Sequence, residues 1–116
     1  MEIKIIKDSI TKKELLDMAK EQFGDLIKAV VDLEKEIMAI GGELHADGEV
    51  LLMEQERSSR EHTWGINLFP ERTNEEFIEF DSVINLKPAF GNRSRGVDNS
   101  EMREKIKKII RKLIVS

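Results

Sequence analysis

Short apolar or alternating runs mark five stretches of the chain, and apolar residues recur at helical spacing along two more. Glu2 to Lys7 predicts a first strand, with Ile3 and Ile5 on one face and Ile6 on the other. Thr11 and Glu14 have the spacing of a capping box, and Ile10 and Leu15 stand where a hydrophobic staple closes. Leu15, Leu16, Ala19 and Phe23 give the helix that follows its apolar stripe, and Gly24 ends it. From Leu26 to Leu33 the residues alternate. Ile27, Ala29, Val31 and Leu33 lie opposite Lys28 and Asp32, with Val30 interrupting the polar side. After Glu34-Lys35-Glu36 the chain returns through Ile37 to Ile40, which predicts an antiparallel hairpin with a charged turn. Gly41-Gly42 marks a bend.

Residues 44 to 55 admit two readings, a hairpin turning at Asp47-Gly48 or a short helix capped by Asp47. Leu51, Leu52 and Met53 favour helix, so the helix is the expectation. Glu56 to Glu61 reads as a polar surface loop. Trp64 to Phe69 alternates again until Pro70, and Glu71 to Glu76 is a polar turn region. Phe77 to Lys87 predicts the longest strand, with Ile78, Phe80, Ile84 and Leu86 on one face. Glu79, Asp81, Asn85 and Lys87 fall on the other, and Pro88 ends the run. A last helix carries the stripe Met102, Ile106, Ile109, Ile110 and Leu113, with Asp98, Asn99 and Ser100 available as caps.

The order strand, helix, two strands, short helix, two strands, helix predicts an α+β fold. Its sheet is mostly antiparallel with about five strands, and the N- and C-terminal helices pack on one face. The first strand is expected to join its neighbour in parallel after a right-handed crossover. Nothing in the pattern suggests a linker, so residues 1–116 are expected to form one domain.

Composition narrows the chemistry. Cysteine is absent, which excludes disulfides, thiolate metal sites and a cysteine nucleophile. With no tyrosine and two histidines, acid–base candidates reduce to carboxylates, His45, His62 and lysines. No apolar run approaches the ~20 residues of a membrane-spanning helix, and the N-terminus lacks the pattern of a signal peptide. The expected compartment is the cytoplasm. A net charge of −4 gives the whole molecule no reason to seek nucleic acid. Charge is uneven, however, because eight cations face three carboxylates from Arg93 onward.

Three clusters carry candidate chemistry. Gly91-Asn92-Arg93-Ser94-Arg95-Gly96 joins flexible backbone, forked donors and a nearby helix start, which together suit phosphate or carboxylate. The competing reading is a surface turn whose arginines pair with local carboxylates. Glu79 and Asp81, with Asn85 and Asn67, offer oxygen ligands for a divalent cation, or simply a polar strand face turned to water. His45 with Asp47 could add a metal ligand or a base with its orienting carboxylate, and a local cap is the plainer account. Trp64 alternates with Ile66 and Leu68 and is expected in the core.

Phe23 to Asp32, Ile37 to Asp47, Trp64 to Leu68 and Phe77 to Val97 resemble a prokaryotic family built on a domain of unknown function. Gly91 to Val97 is the most distinctive part of that likeness. The resemblance implies a small bacterial or archaeal cytoplasmic protein and carries over no activity or catalytic residue. The expected function is therefore a module binding a phosphorylated or other anionic ligand through Asn92, Arg93, Ser94 and Arg95. The alternatives are a divalent-metal enzyme using Glu79, Asp81 and His45, or an interaction domain. A homodimer would cover an exposed sheet edge.

Overall fold

In the computed structural model, which describes residues 2–116, β3 (Ile27–Asp32) sits at the centre of the sheet. Five of its six residues are buried, as are all of β4 (Ile37–Gly41) and β5 (Thr63–Leu68). Strands buried on both sides need helices on both faces. The sheet runs in the order β1 (Ile3–Ile6), β4, β3, β5, β6 (Ile78–Glu79), and every pairing is antiparallel.

One face carries Ile27, Ala29, Val31, Met38, Ile40 and Ile66. Leu15 and Ala19 of α1 (Lys12–Gln22) and Ile106, Ile110 and Leu113 of α3 (Ser100–Leu113) close over it. The N- and C-terminal helices thus share a face, as their stripes predict. Each fully buried aliphatic side chain there contributes about 1.5–3 kcal/mol. Thr11 and Glu14 form the full capping box, and Asn99 accepts from the Met102 amide at the start of α3. Beside this layer β2 (Ile10–Thr11) pairs in parallel with β7 (Ile114–Val115), tying the start of α1 to the end of α3.

The opposite face packs Val30, Ile37 and Ala39 against Leu52 of α2 (His45–Glu56). Gly48 lets that helix approach closely, since a Cβ there would stand 3.1 Å from Val30 Cγ2. The helical reading of residues 44 to 55 holds, but Asp47 does not cap it. Leu44 is the N-cap, without a side-chain bond, and Asp47 lies in the first turn. The helix also takes in Glu56, and the segment beyond is no idle loop. Ser58 Oγ donates to Asp32 Oδ2 at 2.6 Å, and Arg60 reaches Glu49, Ile84 O and Leu86 O.

Two strand expectations are corrected. β1 pairs antiparallel with β4, with Ile3 opposite Gly41, because the chain crosses the sheet before β3 and returns through β4. Residues 77 to 87 are not one strand. Pairing stops at Glu79, and Ser82 accepts from the Ile84 amide to start a 3₁₀ turn over Val83–Asn85. The turn swings Asn85 inward. Its carboxamide accepts from Gly65 N at 2.8 Å and donates to Gly65 O at 2.9 Å, the two bonds a neighbouring strand would otherwise make. Lys87 is buried as well, donating to the carbonyls of Arg60 and Thr63 with its ammonium over the Trp64 ring. Among the described residues no helix is long and apolar enough to cross a membrane.

Replacing Asn85 by Ala leaves both backbone groups of Gly65 buried without partners. Urea unfolding should show a loss of roughly 2–4 kcal/mol, against less than ~0.5 kcal/mol for an exposed control such as Lys35→Ala.

Candidate functional site

The candidates read from the sequence gather on the α2 face at the β5–β6 side. Glu79 lies opposite Asn67 in the sheet register, and Asn67 Nδ2 donates to its Oε1 at 2.8 Å. Asp81 is paired with Arg95, Nε to Oδ1 at 2.7 Å. His45, at the start of α2, donates from Nε2 to Ile66 O at 2.8 Å. Burial, with the nearby cation of Lys28, holds its imidazole down at about pKa 4, despite opposition from the Ile66 carbonyl and Asp81. At neutral pH it is an uncharged ring. Asn67 Oδ1 is buried and has no partner. Among the described residues no three histidine or carboxylate side chains gather closely enough to hold a metal ion.

The Gly91–Gly96 loop holds itself together. Asn92 is buried, donating to the carbonyls of Asn85, Ser94 and Gly96 and accepting from the Asp98 amide. Two of the donors that would greet an external anion, the Arg93 backbone N–H and the Ser94 hydroxyl, go to the Asp98 carboxylate, at 3.0 and 2.5 Å. Those bonds, the Ser94 hydroxyl first, hold Asp98 below the usual carboxylate range. A carboxylate from the chain itself therefore fills the loop.

A second site was not read from the sequence. A cleft of about 390 Å³ opens between α3, the connection from Arg72 to Glu75 and the first residue of α1. That volume falls in the range of small-molecule sites, ~300–1,000 Å³. Phe77, Ile78, Ile110 and Ile114 supply its apolar lining. Four cations surround them: Lys12, Arg72, Lys107 and Arg111, with Glu75 the one carboxylate in the lining. Local contacts position three of them. Arg72 stacks on Phe69, 3.9 Å from the ring centroid, and Lys12 lies 6.0 Å from that of Phe77. Asn74 takes the left-handed conformation at φ 54 that Asn tolerates, turning the connection over the cleft. Lys107 is the most enclosed cation, its side chain 15% exposed. Its ammonium meets Glu75 and Glu104 at 3.0 Å each, which raises its pKa and lowers that of Glu75.

The sequence offered one clue to this cleft, namely Lys107 and Arg111 spaced i,i+4 beside the apolar stripe of α3. That spacing is also what a solvated helix face requires. Closure by residues 72 to 78 is a long-range contact that periodicity does not encode.

Fold and site together define a small α+β domain, an antiparallel sheet enclosed by helices with a cationic cleft beside its C-terminal helix. The chain belongs to a protein-of-unknown-function family, DUF5674, whose model matches residues 4–113. It matches no curated protein and no solved structure.

His45 ionises near 4 when folded and near 6.5 when unfolded, so the unfolded chain binds the extra proton between those values. Stability should fall as pH drops through that window, by about 3 kcal/mol in total from this residue. Denaturant titrations of His45→Gln should show a flatter slope from pH 6.5 to 5 than the parent. An unchanged slope would mean that the ring is not held neutral.

Proposed function

We propose that this domain is a binding module for a small anionic ligand, phosphorylated compounds foremost, held in the cleft lined by α3. One observation carries the reading. In a chain of net charge −4, four cations outnumber the two carboxylates, Glu75 and Glu104, that meet them around an apolar floor. Such a concave cluster of like charge attracts anions more strongly than scattered surface lysines do. The Gly91–Gly96 loop gives the reading less support, because Asp98 already uses its Arg93 amide and Ser94 hydroxyl and Asp81 holds the Arg95 guanidinium. A divalent-metal enzyme built on Glu79, Asp81 and His45 also has less support, since Asn67, Arg95 and Ile66 occupy atoms it would need. The cytoplasm remains the compartment that the sequence likeness favours.

A titration with phosphorylated metabolites at fixed ionic strength, followed by backbone amide shifts, tests this. Shifts should cluster at residues 72–78 and 107–111, and Lys107→Met should weaken binding at least tenfold. A ligand at 100 times its dissociation constant should add about 2.7 kcal/mol of stability. Shifts confined to residues 92–98 would return the site to the loop, and none at all would remove the reading.

A further inference from the structure

The lining of the cleft says more about its ligand than the sign of its charge. The side chain of Glu75 is 80% exposed while Lys107 beside it is 15% exposed. Such a surface carboxylate is weakly held, because exposed ion pairs contribute at most about 1 kcal/mol. Glu104, one turn away on the same helix, keeps Lys107 in place independently. An incoming anion can therefore take the position of Glu75 without losing the alignment of the lysine. Four cations against Glu75 in the lining and Glu104 beside Lys107 still leave room for more than one negative charge. A phosphate monoester, largely dianionic at neutral pH, suits that surplus better than a single carboxylate. Apart from Thr73 and Asn74, the remaining lining is one aromatic and three isoleucine side chains, a surface that suits an apolar body better than a sugar.

We infer that the ligand is a phosphate monoester with an apolar, ring-sized body, its head on Lys107 and Arg111 and its body against Phe77, Ile78, Ile110 and Ile114. This rests on the anion-binding reading above and narrows it. Glu75 is then a built-in competitor, a carboxylate that holds the head-group position until a stronger anion displaces it. Arg111 strengthens that position, since its charge also acts on Glu75.

Calorimetric titration of the full chain at fixed ionic strength with phenyl phosphate, glycerol phosphate and inorganic phosphate tests the inference. Phenyl phosphate should bind at least tenfold more tightly than the other two. Glu75→Gln should tighten it several-fold and Arg111→Gln weaken it at least fivefold; both residues are exposed, so both variants should fold. Equal affinity for the three compounds would overturn the apolar body and leave anion binding standing. Binding of none would remove both readings. Tight phenyl phosphate binding unchanged in both variants would place the ligand elsewhere and overturn the inference.

Discussion

The carboxamide of Asn85, clamped on the two backbone groups of Gly65, sets the geometry of the C-terminal half. β6 ends after two residues, so without this clamp the middle of β5 would face a gap in the ladder. The clamp leaves no space for a side chain at position 65, where a Cβ would meet Ser82 at 2.6 Å. Asn92 in turn holds the Asn85 carbonyl, and Asn85 holds the carbonyl of Arg95. Two amide side chains thus replace a strand, and the Asp81–Arg95 pair and the loop around Asp98 take their positions from them.

This substitution explains where sequence reasoning reached its limit. The alternation from Phe77 to Lys87 holds only through Phe80: beyond it Leu86, read as inward, is exposed, while Asn85 and Lys87, read as outward, are buried. Ile84 is buried under either arrangement, whereas Asn85 faces inward only because of the turn. What broke the strand was Ser82 capping a turn and an asparagine matching a backbone amide, both decided by tertiary contact. The capping box at Thr11, the glycine after Phe23 and the stripe of α3 were legible because each is complete within a few residues. The antiparallel pairing of β1 was not, since it depends on a partner more than thirty residues away.

The candidate residues divide the same way. Asn67 meeting Glu79 was legible from strand alternation across one hairpin. The fate of Arg95 and Ser94 was not, because the same composition serves an external anion or an internal carboxylate equally well. Asp98 sits four residues from Ser94, close enough to decide the matter, but only the fold of the loop aims it inward. The buried polar groups of the α2 face show a related economy. Glu49, Arg60, Thr63 and Lys87 are all tied into one network, so charge on that face holds structure together instead of meeting a ligand.

A sheet finished with side chains on one side is asymmetric at its borders. On the β6 side, amide groups and the 3₁₀ turns leave little regular backbone to extend. On the β1 side, four residues of ordinary strand present an unpaired row. Growth by strand addition therefore has one direction. Two copies joined edge to edge through β1 would form a ten-stranded sheet whose outer edges are the two-residue β6 strands, which offer little regular backbone for further addition.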